Sequence, residues 1–286
     1  MSELRIKEII DPGHPLLEEN RAKIESIARK TCTYSLENAL QLDIYYPSIL
    51  SSLSRPPILL FFYGGGFTDG TRSSHPQNLV YNNVGAFFAR REILTVIADY
   101  RLVPGAVFPD GSQDVRDALL WVMGNVKEGD VNRLYVLGHS AGGIHVVSMF
   151  LMSKLCHPKL EKAVLGVILM GVPYEISNGR GARLRAAAEK YYDGASRIVS
   201  NQPLGLLSFA DSCHVFLIPP VRNILAESEP RIIKRTNHTF LEAFKAKGGT
   251  VEHFVLKGHD HLSPLLALSS GRGEKWGEEI VQWIMS

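Results

Sequence analysis

The chain of 286 residues has only three cysteines, Cys32, Cys156 and Cys213, which lie far apart and show no C-x-x-C spacing. An odd number of scattered cysteines argues against a disulfide framework and against a structural zinc site. We therefore expect the protein in a reducing compartment, for which the cytoplasm is the default prediction.

Long apolar runs and long runs of one charge are also missing. No stretch reaches the roughly 18 to 20 apolar residues that a membrane-spanning helix needs, and the N-terminal segment MSELRIKEIIDPGHP lacks the apolar core of a signal peptide. The 31 basic and 29 acidic residues leave a net charge of +2, which does not favour binding to nucleic acid or to an anionic membrane. The pattern predicts a soluble protein that acts on a small molecule.

What the sequence does contain is an ordinary globular composition, with 45% hydrophobic and 21% charged residues. No internal repeat, low-complexity tract or linker divides the chain. Residues 1–286 are therefore predicted to form a single α/β domain with a well-filled core.

Short apolar runs alternate with helix-length periodic segments along this domain. Such alternation predicts a mostly parallel central sheet with helices on both faces. Residues 175–210 lose the strand pattern, and we interpret them, together with residues 15–30, as elements of a small cap or lid. Strands are predicted at 40–46, 58–63, 93–98, 134–137, 163–170, 215–218 and 251–256, and helices at 15–30, 79–91, 110–126, 144–155, 230–247 and 274–285.

The segment RLYVLGHSAGG at 133–143 places a serine between glycines, after an apolar strand and before an apolar helix. Gly138 and Gly142 fit the G-x-S-x-G pattern, in which the residues two before and two after the nucleophile must be small so that strand and helix can pass closely. Ser140 is therefore a candidate nucleophile, although a chain with 25 glycines can produce this short pattern by chance.

Other polar groups follow the predicted strands at the same edge of the sheet. A glycine run at 64–66 follows one strand, Glu229 follows the strand predicted at 215–218, and His259 and His261 follow the last strand. Catalytic groups of parallel sheets gather at the carboxyl ends of strands, so these groups are candidates to meet Ser140.

Four segments, in order YGGGF at 63–67, DYRLVPGAVFPD at 99–110, GHSAGG at 138–143 and GHDHLSP at 258–264, resemble one group of enzymes. They are similar to the α/β-hydrolases of the hormone-sensitive-lipase-like and kynurenine-formamidase-like carboxylesterase group. The chain order serine, acid, histidine is also the order of that fold. Two positions depart from the family pattern: Tyr63 stands where many members have histidine, and Glu229 stands where they have aspartate.

The resemblance implies an α/β-hydrolase fold and a serine hydrolase that needs no cofactor and no metal. It assigns Ser140 as nucleophile, His261 as general base and Glu229 as the acid that orients the histidine. It further places the N–H donors of an oxyanion hole in the run of Gly65 and Gly66 and at Ala141, directly after the nucleophile.

Several alternatives stay open in the sequence. Glu227 competes with Glu229 as the acid, and His259 with His261 as the base; the two histidines are also a potential metal-ligand pair, without further ligands at supporting spacing. His139 and His145 are expected to be packing residues. Large apolar side chains that could line a substrate pocket, or simply pack in the core, are Phe67, Tyr174, Tyr191, Tyr192, Leu204, Leu206 and Leu207.

The function expected from these residues is cleavage of a small to medium carboxylic ester through an acyl-enzyme on Ser140. A formamidase or other amidohydrolase, a lactonase, and an acyl-transferring enzyme would use the same groups. A binding protein on a hydrolase fold is the alternative of another class, and such proteins tend to lose the histidine. The sequence does not specify the oligomeric state.

Overall fold

An eight-stranded sheet forms the centre of the protein in a computed structural model, which describes residues 14–48, 55–74, 77–176 and 182–286. The strand order is β1-β2-β4-β3-β5-β6-β7-β8. The strands are β1 Arg29–Ser35, β2 Leu40–Tyr45, β3 Pro57–Phe62, β4 Leu94–Ala98, β5 Asp130–His139, β6 Val164–Met170, β7 Val221–Ala226 and β8 Val251–Leu256.

The first two strands of the sheet run differently from the rest. β1 pairs with β2, and β2 with β4, in antiparallel register, whereas the pairs from β4 through β3 to β8 are parallel. Every residue of β3 and β4 is buried, as expected for strands covered on both faces. The predicted mostly parallel sheet of an α/β protein is confirmed.

Helices connect the strands and cover the sheet. The two longest, Asp110–Asn125 and Arg231–Ala246, have 16 residues each. The helices of the described residues are α1 His14–Glu19, α2 Arg21–Glu25, α3 Asn82–Ala89, α4 Asp110–Asn125, α5 Ala141–Leu151, α6 Pro158–Ala163, α7 Ala182–Tyr191, α8 Ala195–Asn201, α9 Pro203–Phe209, α10 Ser212–Phe216, α11 Arg231–Ala246, α12 Ser263–Ala267 and α13 Lys275–Met285.

The strand predicted at 215–218 is wrong, because Val215 and Phe216 belong to the short helix α10 and the next two residues form a turn. The Asp211 carboxylate accepts a hydrogen bond from the His214 N–H over 2.7 Å and thereby caps the helix. Val215 is buried while Phe216 and Leu217 are exposed, so the apolar run covers one helical turn. The strand of this region is β7, which begins directly after Pro219 and Pro220.

The N-terminal region also differs from the prediction of one helix over 15–30. Two short helices, α1 and α2, occupy its first part, and the edge strand β1 begins at Arg29. β1 has no fully buried residue, so its sequence carries no apolar alternation to signal a strand.

The segment predicted at 175–210 as part of a cap contains the three short helices α7, α8 and α9 within its described residues. A cap function for this segment and for residues 15–30 stays a prediction, as does the assignment of residues 1–286 to a single domain. Within the described ranges, no helix has both the length and the apolar character needed to cross a bilayer.

Candidate active site

Ser140 lies at the turn between β5 and α5, in a backbone conformation that L-residues seldom adopt, with φ 51° and ψ −120°. Its N–H donates to the carbonyl of Met170 over 2.9 Å, which ties the turn to the neighbouring strand β6. A Cβ atom on Gly142 would lie 2.3 Å from the carbonyl oxygens of Phe62 and Tyr63. The helix can follow the serine this closely only because residue 142 has no side chain.

The side chain of His261 lies between Ser140 and Glu229. The Ser140 hydroxyl is 3.0 Å from Nε2 of His261, and Nδ1 of the same ring is 2.8 Å from Oε2 of Glu229. An ionised carboxylate only accepts hydrogen bonds, so Nδ1 carries the proton and Nε2 presents its lone pair to the serine hydroxyl. This is the hydrogen-bonded order of a serine nucleophile, its base and the group that orients the base.

Glu229 and His261 come from the loops after two adjacent parallel strands, β7 and β8. Both side chains are buried, with exposed fractions of 5% for Glu229 and 7% for His261. Because parallel strands end at one edge of the sheet, the two loops meet near the turn that carries Ser140.

The competing residues have other partners. Glu227 is exposed, and its Oε2 accepts the N–H of Gly258 over 2.9 Å, which joins the loops after β7 and β8. Nδ1 of His259 is 3.1 Å from the Ser263 hydroxyl, and burial lowers the pKa of His259. The described residues contain no group of three or more His, Cys, Asp or Glu residues arranged to hold a metal ion.

The glycine run after β3 lies directly against the nucleophile turn. A Cβ atom on Gly64 would be 3.0 Å from Cβ of Ser140, and one on Gly65 would be 1.7 Å from the carbonyl oxygen of Asp69. Gly66 has φ +60°, in the region that favours glycine. Among the described residues, the N–H groups of Gly65, Gly66 and Ala141 have no hydrogen-bond partner, so they are available as donors.

Tyr63, directly before the glycines, is held on both faces. Its ring centroid is 5.7 Å from that of Tyr81 and 5.0 Å from that of Tyr100. The Tyr63 hydroxyl donates to Oδ1 of Asp99 over 2.8 Å, and Arg72 pairs with the same carboxylate over 2.6 Å. The Tyr100 hydroxyl in turn donates to the Tyr63 carbonyl over 2.7 Å. These contacts fix the start of the glycine run.

A family model, solved structures and curated relatives resemble this chain. The BD-FAE family model matches residues 42–165, which include β2 to β5, the glycine run and Ser140. Esterase B from Lactobacillus rhamnosis superposes with a TM-score of 0.72 at 18% identity, covering 99% of this chain and 94% of that one. The thermophilic esterase Est2 from Thermogutta terrifontis superposes with a TM-score of 0.67 at 19% identity, covering 89% and 92%.

The chain has the α/β-hydrolase fold of these esterases. The predicted fold class is thereby confirmed, and so is the resemblance to carboxylesterases of that fold. Probable carboxylesterase 7 of Arabidopsis thaliana is 29% identical over 157 residues, which cover 50% of this chain and 48% of that protein. Esterase LipI of Mycobacterium tuberculosis is 33% identical over 102 residues, which cover 35% and 30% of the two chains. The chain spans about half or less of the length of these curated relatives.

Gly171 is a residue of the site that the sequence patterns did not single out. It follows β6 with φ +58°, and a Cβ atom there would lie 2.7 Å from Oε1 of Glu229 and 3.0 Å from Nδ1 of His261. A side chain at this position would push the carboxylate and the imidazole apart. The one signal in the sequence is a glycine directly after an apolar strand.

The residue directly after the glycine run packs against a helix of the predicted cap. Phe67 has φ +72°, and its ring stacks on that of Tyr191 from α7, with centroids 4.8 Å apart. The Val103 N–H donates to the Phe67 carbonyl over 2.9 Å. The loop after β3 therefore depends for its conformation on residues from two other segments.

The remaining large residues proposed for a pocket are mostly buried in the core. Tyr174 stacks on Phe240 with centroids 3.9 Å apart, and its hydroxyl donates to Asn223 over 2.6 Å. Tyr192 and Leu207 are also fully buried, whereas Leu204 and Leu206 are partly buried at the edge of the core. A pocket-lining role for these residues stays a prediction.

His139 and His145 are both buried, as expected for packing residues. Burial lowers the pKa of each to about 3. Both side chains therefore stay neutral near neutral pH.

Proposed function

We propose that the protein is a serine hydrolase that cleaves a small to medium carboxylic ester through an acyl-enzyme on Ser140. The observation that carries the proposal is the continuous set of contacts from Ser140 Oγ to His261 Nε2, 3.0 Å, and from His261 Nδ1 to Glu229 Oε2, 2.8 Å. The relatives named carboxylesterase and esterase favour an ester as the substrate class.

In the proposed reaction, the Ser140 hydroxyl attacks the ester carbonyl while Nε2 of His261 accepts its proton. Glu229 keeps the imidazole in the required tautomer and stabilises the imidazolium that forms. The negative charge on the former carbonyl oxygen is stabilised by the N–H groups of Gly65, Gly66 and Ala141.

Collapse of this intermediate breaks the bond to the alkoxy group, which leaves as an alcohol after His261 returns the proton. A water molecule then attacks the acyl-serine, with His261 again accepting a proton. The carboxylic acid departs and Ser140 regains its hydrogen. Each step needs only the described side chains and water, so the proposed chemistry requires no cofactor.

The direct test replaces Ser140 with alanine and measures turnover of p-nitrophenyl short-chain esters. We expect the variant to lose nearly all activity and to resist labelling by a fluorophosphonate, which the wild type takes up at Ser140. Ser148→Ala is a matched control, because Ser148 is a buried serine of the same helix whose hydroxyl has no partner among the described residues. Wild-type turnover by Ser140→Ala would refute the mechanism.

The same assay compares esters with aryl formamides and lactones. A kcat/KM that is highest for esters supports the proposal, and one that is highest for formamides would reassign the hydrolase to the amidohydrolase alternative. Absence of both turnover and fluorophosphonate labelling in the wild type would favour a binding protein.

A cytoplasmic location is part of the proposal. It is supported by three free cysteines, of which Cys213 is exposed, because exposed thiols persist in reducing compartments. Fractionation of the cells that produce the protein tests this point, and recovery with membranes or in the medium would contradict it.

A further inference from the structure

The residue directly before the nucleophile, His139, has a partner in the loop that carries His261. Its side chain is 1% exposed, and Nε2 lies 2.8 Å from the backbone carbonyl oxygen of His261. The two imidazole rings lie 4.8 Å apart between centroids at an angle of 42°. One side chain therefore joins the end of β5 to the loop after β8.

The chemistry of the partners fixes the tautomer of His139. A carbonyl oxygen only accepts hydrogen bonds, so Nε2 carries the proton and Nδ1 carries the lone pair. Among the described residues, Nδ1 has no hydrogen-bond partner. The hydrogen bond to His261 is thus the one polar contact observed for the ring.

The opposite side of the His139 ring faces the glycine run. A Cβ atom on Gly64 would be 2.8 Å from Nδ1 of His139. The absence of a side chain at residue 64 thus leaves space for the imidazole between the glycine run and the His261 loop. The ring has little freedom to turn away from the carbonyl.

Other hydrogen bonds of the His261 loop lie within the loop itself, at the turn that leads into α12. Oδ1 of Asp260 accepts the N–H groups of Leu262 and Ser263, each over 3.0 Å, and so organises the turn that begins α12. Within the described chain, the contact that joins the His261 backbone to the nucleophile strand is the one from His139.

We propose that His139 is a positioning residue that fixes the backbone of His261 and thereby sets the imidazole between Ser140 and Glu229. This proposal rests on the proposed function for its effect on turnover. The hydrogen bond holds the loop at a distance from β5 at which both His261 contacts form, and without it the loop can shift relative to the serine.

Two amide variants differ in reach and test the proposal. Glutamine in His139→Gln places an N–H group near the position of Nε2, whereas asparagine in His139→Asn places one only near Nδ1, short of the carbonyl. We expect His139→Asn to lose roughly 10- to 100-fold in kcat with little change in KM, as for a small misplacement of a reacting group. His139→Gln should recover most of that loss.

A second readout does not depend on turnover. The proton that His261 shares with Glu229 gives a strongly downfield proton NMR resonance, and we expect it to broaden or vanish in His139→Asn and to persist in His139→Gln. His145→Asn is the matched control, because it also replaces a buried histidine but has no contact with the His261 loop among the described residues. Its resonance should remain.

Equal kcat values and equal resonances in the two His139 variants would overturn the proposal. A loss of the resonance in His145→Asn equal to that in His139→Asn would do the same, since the effect would then follow from general loosening of the core. If the wild type shows no turnover and no fluorophosphonate labelling, the proposed function fails, but the resonance still decides whether His139 holds the loop.

Discussion

Ser140 and His261 come from parts of the sheet that differ in character. The last six residues of β5, which lead to Ser140, are all buried, and β5 lies between β3 and β6. β8, which leads to His261, is an edge strand without a single fully buried residue. Ser140 is therefore positioned by backbone packing, and His261 by a few side-chain hydrogen bonds.

This difference means that the two parts of the site should respond differently to substitution. Changes at the nucleophile turn alter close contacts between backbone atoms, so they should reduce the stability of the whole protein. Changes in the acid and histidine loops alter single hydrogen bonds, so they should reduce turnover while leaving most of the stability unchanged.

The largest effect on turnover is expected from Glu229→Gln. An amide in place of the orienting carboxylate favours the wrong tautomer of His261 and cannot stabilise the imidazolium, and kcat should fall about 10⁴-fold, as in serine proteases with the equivalent change. Glu227→Gln is the matched control, because the Glu227 carboxylate is exposed and accepts only the Gly258 N–H among the contacts found.

We expect kcat to be nearly unchanged in Glu227→Gln. A larger loss in that variant than in Glu229→Gln would move the acid to residue 227. The melting temperature of both variants should stay close to that of the wild type.

A smaller loss of turnover is expected from Gly171→Ala. The added methyl group would approach both Glu229 and His261, so we expect kcat to fall roughly 100-fold through displacement of the pair. Kinetics and thermal unfolding, measured on the same preparation, separate the two effects. Unchanged kcat would show that the Glu229 and His261 loops tolerate this displacement.

In the turn that carries Ser140, the main effect of Gly142→Ala should be a loss of stability. Its methyl group would lie 2.3 Å from two backbone oxygens of the β3 end, which cannot move without moving the strand. The free energy of unfolding should fall by about 1–3 kcal/mol, the usual range for overpacking.

Gly124→Ala provides the control for glycine substitution. Gly124 is exposed in α4, and a Cβ atom there meets no atom within 4 Å. The exchange should raise the free energy of unfolding by about 0.5–1 kcal/mol. Urea unfolding measures the free energy of unfolding of both variants. A Gly142→Ala protein as stable as the wild type would contradict the proposed difference between the two parts of the site.

The effect that is smallest at neutral pH concerns the pH dependence of stability. Burial lowers the pKa of His145 from 6.5 to about 3, so between these values the unfolded chain binds a proton that the folded protein does not. The free energy of unfolding therefore falls as the pH drops below about 6.5, by about 1.4 kcal/mol per pH unit for each such histidine.

His145→Gln removes the contribution of one of the two buried histidines with this shift. Between pH 6 and pH 4, the slope of its free energy of unfolding against pH should therefore be smaller than that of the wild type by about 1.4 kcal/mol per pH unit. Urea unfolding at a series of pH values measures the two slopes, and equal slopes would show that His145 does not remain neutral in the folded protein.

The local sequence predicted the nucleophile side well, because its signals lie within one short segment. An apolar strand, two glycines around Ser140 and an apolar helix all follow from the steric demands of a tight strand-to-helix turn. The glycine run after β3 is equally local, since its residues have no side chains at positions of close approach. In the structure, the glycine run lies against the turn that carries Ser140.

The part of the site around Glu229 and His261 depends on contacts between residues far apart in the sequence, so it was harder to predict. Glu227 and Glu229 both lie within three residues of the same proline in the sequence. Only the fold determines which carboxylate contacts His261. Gly171 and the hydrogen bond of His139 likewise involve partners more than 50 residues away. The apolar run at 215–218 was misassigned because one amphipathic helical turn and a short strand look alike in sequence.

The tyrosine at position 63 has a consequence for how the protein responds to acid. Burial raises the pKa of Tyr63, and the nearby Asp99 raises it further, so the phenol stays neutral in acidic and neutral solution. A histidine at this position, as in the family pattern that the sequence resembles, would gain a charge on mild acidification. Tyr63, which precedes the glycine run, thus carries no charge that mild acid changes.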